Sequence, residues 1–501
     1  MEDELRENVK NFLLNHDLCR MCILRALGER QTNAYCRQFE EWRTPGEPQC
    51  KRVQRGICPA CLGLLEPVYL FEVFEAVVEA VAISECRFHN FLLTIAIPPV
   101  CLLRQRLVYL TVKNKFEMYK LAEECLVTVK DCVKMVIGFL FEDEFKVLFS
   151  PKASFQVNII LPGALTPVEQ DAVNKLAKPV VKKSRKAMRR DEFSTKTITS
   201  FLQRTSEDNF RAEFKFPPPE ALCKAPEPPK VTCGHLQIYL AGRYCKYSRE
   251  LSQTPWLIEG ERKMKNSVEE LITDVVRRTV LCERITFSSS GREDVDVRML
   301  GEGRPFILEV WRPKRIDWLA EEMAQIEVQI NTSTKDIAVN RLQLIGREQV
   351  KDLKDGEEHK RKFYCAYCVT AKPTSEIDFS KLTSLKNLVL KQNTPMRVLH
   401  RRTAMIRDRT IHSAEIEIVD SFKFKLILCT QAGTYVKEFV HGDLGRTLPN
   451  VCTLLDEAVD IENLDVTKVD LDWPPERGAT ELLENGVLTY DSDRSAKGDI
   501  V

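Results

Sequence analysis

The sequence predicts an α+β protein, with an α/β N-terminal half and a C-terminal half built on an extended mixed sheet. Three observations carry this. Between residues 66 and 165 helical and strand patterns alternate: EVFEAVVEAVAI reads as a helix, FLLTIAI and FQVNIIL as strands, and KFEMYKLAEECLVTVKDCVKMVIGFLFED as mainly helical. Beyond His235 strands dominate and helices are few. Between the two lies FKFPPPEALCKAPEPPK, residues 214–230, whose six prolines suit neither a helix nor a sheet interior, so it reads as a linker.

The whole chain sets the bounds. At 501 residues it can build more than one sizeable core. Its net charge of +1 excludes a uniformly basic protein, so any nucleic-acid surface must come from local segregation of charge. MEDELRENVK is too acidic and polar for a secretory signal, and the longest apolar run, FLLTIAIPPVCLL, is short and contains two prolines. These features predict a soluble intracellular protein without a membrane partner. No address separates cytoplasm from nucleus.

In chain order, residues 1–65 form a small module carrying Cys19-Arg-Met-Cys22 and Cys58-Pro-Ala-Cys61. Each CxxC can place two thiolates on one metal, and two such pairs complete a tetrahedral four-cysteine site, here a structural zinc. The 35 intervening residues exceed the usual compact spacing, and Cys36 and Cys50 within them are spare. The alternative is two unrelated thiol pairs. A third CxxC, Cys365 to Cys368, lies in a strand that sends its side chains to opposite faces, which rejects it as a metal site. Cys86, Cys101, Cys125, Cys132 and Cys429 sit in apolar contexts and read as reduced core residues.

Residues 66–213 form an accessory domain. Its segment KLAKPVVKKSRKAMRR, Lys175 to Arg190, has eight basic and no acidic residues, including Lys182, Lys183 and Arg185. Such density suits phosphate, although solvated charge runs are common. After the linker, 231–475 form the main domain and 476–501 an acidic, loose tail. The main domain opens with the strand HLQIYLAG. RYCKYSRELSQTPW follows, interleaving Arg243, Lys246 and Arg249 with Tyr244, Tyr247 and Trp256. Aromatic faces for bases and cations for phosphates make a nucleic-acid surface, but packing yields the same mixture. NSVEELITDVVRRTV reads as a helix with a Ser267–Glu270 capping box, and RITFSSS, FILEVW, FYCAYCVT, HSAEIEIVD and FKLILCTQ read as strands.

In GREDVDVRM, alternation places Asp294, Asp296 and Arg298 on one strand face and Val295, Val297 and Met299 on the other. Arg298 is then the expected partner of Asp296. GREDVDV resembles the first motif of pseudouridine synthases, KFYCAYCVT the second, and CTQAGTYVKEFVHGDLG the third. The longer strings GREDVDVRMLGEGRPF, TPMRVLHRR and QAGTYVKEFVHGDLGRT, with RYCKYSRELSQTPW, resemble the archaeal and eukaryotic T-arm tRNA pseudouridine synthases. Members of that branch carry an N-terminal zinc and a THUMP-containing domain. The resemblance is strong over about 235–473 and, further N-terminal, rests on the CxxC pairs and domain order.

The resemblance implies a pseudouridine synthase catalytic fold acting on T-loop uridines of tRNA. It implies Asp294 as the catalytic carboxylate, Tyr364 as the active-site tyrosine, and Lys437 as the basic partner that keeps Asp294 ionised. Lys stands where the family also uses Arg, which loses bidentate geometry and keeps the charge. Val436 would line the pocket. Arg292, Arg243, Tyr244, Arg397 and Arg401, with the basic block, would contact RNA. Isomerisation needs no organic cofactor or small cosubstrate, and neither a GxGxxG helix start nor a Walker-type loop is present. Two rivals remain at this stage. A non-turning RNA-binding factor would not require the matched Asp294, Tyr364 and Lys437. A glycoside hydrolase using Asp294 and Asp296 would have both carboxylates on one side of the sugar.

Overall fold

The computed structural model describes residues 2–43, 57–176, 193–218, 226–351, 353, 360–400 and 402–475. These divide into two units between Gly234 and His235. The basic block beyond residue 176, with Lys182, Lys183 and Arg185, lies outside the described residues, as do Cys50, Arg401, the middle of the proline-rich stretch and the tail. No described helix is long and apolar enough to cross a membrane.

The first unit comprises helices α1 (Glu2–Leu14), α2 (Arg20–Ala26), α3 (Thr32–Arg43), α4 (Pro67–Ser84), α5 (Val100–Lys115), α6 (Val129–Phe145), α7 (Pro167–Leu176), α8 (Thr195–Arg204) and α9 (Glu207–Glu213). Its sheet orders β2 (Leu148–Phe149), β1 (Asn90–Ala96), β3 (Phe155–Ile160) and β4 (Lys230–His235), with β1 parallel to β2 and β3. The expected long helical stretch is shorter. Thr128 caps α6 by accepting from the Asp131 amide at 3.1 Å, and the chain before it is a single 3₁₀ turn, Glu123–Cys125. Residues 1–65, expected as a module, share one core with the rest of the unit. Val9 and Leu13 of α1, Val73 of α4, Phe91 of β1, Ile137 of α6 and Phe210 of α9 are all buried in it. The division after Gly234 also falls slightly later than the sequence boundary, because β4 continues the first unit's sheet.

The second unit is built on β5 (Ile238–Lys246), β8 (Arg284–Ser289), β9 (Val297–Trp311), β10 (Ile337–Ile345), β11 (Lys362–Thr370), β12 (Lys386–Asn393), β13 (Ile406–Ile418), β14 (Lys423–Thr430), β15 (Thr447–Leu448) and β16 (Val459–Val469). They run in the order β10-β5-β9-β16-β11-β14-β13-β12-β15, and β8 pairs with β9. The hairpin β6 (Leu257–Ile258) and β7 (Glu261–Arg262) stands apart from this sheet. The β9–β16 pair is parallel, with Leu464 beside Val297 and Val466 beside Met299. Helix α10 (Val268–Val280) starts at Ser267, whose hydroxyl accepts from the Glu270 amide at 3.2 Å, and buries Val268, Ile272, Val275 and Val276. Helix α11 (Ala320–Ser333) packs on β10.

Strand β5 lies between β9 and β10, and nearly all of it is buried. That position corrects the reading of Arg243 as an RNA contact. Its side chain is wholly buried and donates to the carbonyls of Glu302, Gly303, Leu471 and Trp473 at 2.7–3.0 Å. Arg243 thereby ties the chain after β16 to the bend in β9. Replacing it with Met removes four donated hydrogen bonds, of which only the Glu302 carbonyl keeps another side-chain donor, Asn340, and should cost roughly 3–5 kcal/mol of stability. Urea unfolding followed by tryptophan fluorescence reads this directly, since Trp256, Trp311, Trp318 and Trp473 lie in this unit. A loss under about 1 kcal/mol would contradict a structural role.

Candidate functional site

The acidic segment is a turn rather than a strand. Strand β8 ends at Ser289 and β9 begins at Val297, so Asp294 and Asp296 do not share a strand face. Gly291 starts the turn at φ +86°, a left-handed conformation that favours glycine. Glu293 points inward and is buried. It accepts from Arg304 Nε at 2.8 Å, and the Tyr244 hydroxyl lies 2.9 Å from it. Arg304 Nη1 also donates to the Ser290 carbonyl at 2.8 Å. Tyr244 is therefore a buried support of this turn and not an RNA-stacking residue; its hydroxyl also accepts from Gln253 at 2.7 Å.

Asp294 faces a different set of groups. Arg397 Nη1 donates to its Oδ2 at 2.6 Å, and Lys437 Nζ lies 4.0 Å from the same atom. Lys437 makes its close contact with Asp296, at 2.6 Å. The basic partner expected at Lys437 is thus shared, and Arg397, expected on phosphate, is the nearer cation. Arg397 sits on the 3₁₀ turn Met396–Val398 after β12, and its Nε also donates to the buried Glu438 at 2.7 Å. Lys437 and Glu438 are neighbours on the short helix α12 (Val436–His441), which follows β14. Burial works against the charge of Asp296, but the Lys437 hydrogen bond and charge outweigh it and hold that carboxyl below its ordinary range.

Arg298 does not pair with Asp296. It makes a two-pronged contact with Asp465 of β16, at 2.9 and 2.6 Å, which parallel pairing places directly beside it. Arg249 reaches the same carboxylate at 2.6 Å and donates to the Asp296 carbonyl at 2.8 Å. Tyr364, on β11, is in register with Val466 of β16, which is in register with Met299 of β9. It is half-buried, and burial pushes its phenol up; the Arg304 charge opposes this and Glu293 adds to it. It stays neutral near pH 7. Val436 is buried at the start of α12, and Arg292 stands exposed on the turn. Tyr247 and Trp256 remain substantially exposed.

The four cysteines meet in the first unit. The sulfurs of Cys19, Cys22, Cys58 and Cys61 all lie within 4.8 Å of one another, with Cys19 and Cys61 3.8 Å apart. A tetrahedral metal with M–S of about 2.3 Å needs S···S separations of about 3.8 Å, so the set fits a metal ion. The Cys19 amide donates to Cys58 Sγ at 3.3 Å. Arg25 is buried and donates to Cys22 Sγ at 3.5 Å, to the Val127 carbonyl and to Gln105. Cys36 lies elsewhere on α3, and Cys365 and Cys368 belong to β11.

Comparison with known proteins agrees over most of the chain. Residues 239–470 match the family model "Pus10, C-terminal", and residues 58–233 match "Eukaryotic Pus10, N-terminal". The tRNA pseudouridine synthase Pus10 of Xenopus laevis is 40% identical over 427 residues, 84% of this chain and 81% of that protein. The chain belongs to the Pus10 family of tRNA pseudouridine synthases. The Homo sapiens Pus10 is 38% identical over 434 residues, covering 86% of this chain and 81% of the relative. Pus10 of the archaeon Thermofilum pendens is 36% identical over 236 residues, 46% of this chain and 52% of its own. Among solved structures, a Cbf5-Nop10-Gar1 complex overlaps at a TM-score of 0.26 and 12% identity, covering 46% and 48% of the chains, too little to fix a fold.

Three supports of this Pus10-family site escaped the sequence. Glu438 is one residue from Lys437, but a helix this short carries no periodicity to show which side turns inward. Asp465 reads as one more strand acid until parallel pairing sets it beside Arg298. Arg304 and Glu293 lie within one hairpin, and only burial reveals them as a pair. Changing Arg397 to Met would leave the buried Glu438 without this cation and remove the 2.6 Å contact to Asp294. The expected result is a stability loss of about 3 kcal/mol, at the low end for a buried pair broken from one side, and slower turnover. Urea melts together with single-turnover kinetics check both; unchanged turnover would remove Arg397 from the site.

Proposed function

We propose that this tRNA pseudouridine synthase isomerises one or both neighbouring T-loop uridines, with Asp294 as the carboxylate that acts at C1′. The observation that supports this reading is the Asp294 carboxylate set between Arg397 at 2.6 Å and Lys437 at 4.0 Å on the turn that opens β9. The reaction breaks the N1–C1′ glycosidic bond, turns the base and joins C5 to C1′; C5 gives up its proton and N1 takes one up, so the product is an isomer. An ionised carboxylate can attack C1′ or stabilise the positive charge developing there.

Tyr364, held as a neutral phenol, would stack on the flipped base and serve proton transfer, and Val436 would form part of the apolar wall. Extruding the uridine costs roughly a few kcal/mol, which contacts to the rest of the tRNA must offset. Arg292 on the turn is placed to meet RNA, and Lys182, Lys183, Arg185 and Arg401 would grip phosphates. Residues 66–213 would act as the THUMP-containing RNA-binding part, and the protein would work in the cytoplasm, the nucleus or both.

Asp294→Asn keeps shape and removes the anion, so tRNA binding should persist while turnover falls below detection. Asp296→Asn frees Lys437 for Asp294, so its rate should fall only partly. Tritium release from tRNA labelled at uridine C5 distinguishes the two, because that proton leaves in the reaction. Turnover by a folded Asp294→Asn protein, with a dead Asp296→Asn, would reverse the assignment.

The four cysteines would hold one structural zinc, which supplies cross-linking to the first unit and no chemistry to the reaction. Elemental analysis of protein prepared without chelator should find one zinc per chain. Cys58→Ser should lower its zinc content and speed amide exchange in α2 and residues 58–66, leaving α10 unchanged. Protein without zinc and with unaltered exchange would exclude this role.

A further inference from the structure

Lys246 is the last residue of β5, where the strand pairs with Met299 of β9 on one side and Ile337 of β10 on the other. Its side chain is wholly buried. Its ammonium donates to three main-chain carbonyls: Leu251 at 2.9 Å, Asp294 at 3.0 Å and Val295 at 2.7 Å. Three N–H groups thus meet three acceptors, and two of those acceptors are the turn that carries the Asp294 carboxylate. An apolar side chain would fill the end of β5 without the cost of desolvating a charge. The return on that cost is a fixed main chain at the turn. Arg249 holds the next carbonyl, Asp296, and the Val297 amide closes the turn on the Asp294 carbonyl at 3.1 Å.

We propose that Lys246 is a positioning residue whose buried ammonium fixes the main chain of Asp294 and Val295, and so sets where the Asp294 carboxylate stands. The proposal rests on the reading of Asp294 given above. It also ties activity to a proton. A neutral amine has two N–H groups for three carbonyls, so deprotonation leaves one of them unmatched. Burial pushes the Lys246 ammonium down to about 8, against the pull of Glu293, Asp296 and Asp294, with Arg249 adding to the fall. Of these carboxylates, Glu293 is neutralised by Arg304, Asp294 by Arg397 and Asp296 by Lys437.

The sign separates this from unfolding. The folded value of about 8 lies below the ordinary lysine value of about 10.4, so between them the unfolded chain holds the extra proton. This group's contribution to stability therefore rises with pH across that window, while its grip on the turn is lost. Activity should fall through about pH 8 without loss of fold.

The experiment uses the full chain as Lys246→Met and Lys246→Arg, with T-arm tRNA transcript as substrate. Lys246→Met should speed amide exchange at Val297 and lower kcat by roughly 10²-fold, the scale of an ångström of misplacement, with KM little changed. Lys246→Arg keeps a permanent cation and should retain part of kcat while losing the fall near pH 8 that wild type shows. Comparing the two proteins cancels titration of the uridine itself. Unchanged Val297 exchange in Lys246→Met would overturn the proposal whatever Asp294 does. So would looser exchange with wild-type kcat, or an alkaline fall that persists unaltered in Lys246→Arg. If Lys246→Met fails to fold, Lys246→Arg alone decides through its pH profile. Turnover by Asp294→Asn would instead sink the assignment of the carboxylate while leaving the exchange result standing.

Discussion

Five carboxylates crowd the start of β9, and the second unit can hold them there because each meets a cation brought from elsewhere in the chain. Glu293 is matched by Arg304 from the same hairpin, Asp294 by Arg397 from the segment after β12, and Asp296 by Lys437 from α12. Glu438 shares Arg397, and Asp465 takes both Arg298 and Arg249. Unmatched, buried acids such as Glu293, Glu438 and Asp465 would each cost several kcal/mol. Matched, they stiffen the turn, because each guanidinium is held at more than one point.

The pairs divide by depth. Glu293–Arg304 is wholly buried, whereas Asp296 remains well exposed. Asp294 lies between these extremes, with its side chain 31% exposed. Two cations close by and a side open to solvent are the setting that the role proposed for it at C1′ requires. The deep pairs are scaffold and the shallow ones face solvent. Parallel pairing of β9 with β16 underlies the arrangement, since it sets Asp465 beside Arg298 and brings the Tyr364 row of β11 to the level of Met299.

The first unit solves a different problem. Residues 1–65 supply the four cysteines that meet and share a core with the sheet and helices that follow. Arg25 links the two devices, since its guanidinium touches Cys22 while its other donors reach Val127 and Gln105.

Motif chemistry was legible in the sequence. The CxxC pairs named the cysteine cluster, long strings at three places named the family, and alternation found half of the strands but not β10, β12 or β16, because each of these signals depends only on residue type and local spacing. Facing was not legible. RYCKYSR has the composition of a nucleic-acid surface, yet Arg243, Tyr244 and Lys246 are interior, because β5 is a middle strand with a neighbour on each side. GREDVDV alternates like a strand, yet Gly291 at positive φ and the inward Glu293 make it a turn. Which acid meets which cation was likewise decided in three dimensions. Arg397 lies 103 residues from Asp294, and no local pattern records a pair formed only when the sheet closes. Sequence determined which groups the protein possesses; the packing of the sheet decided which of them are exposed and which are paired.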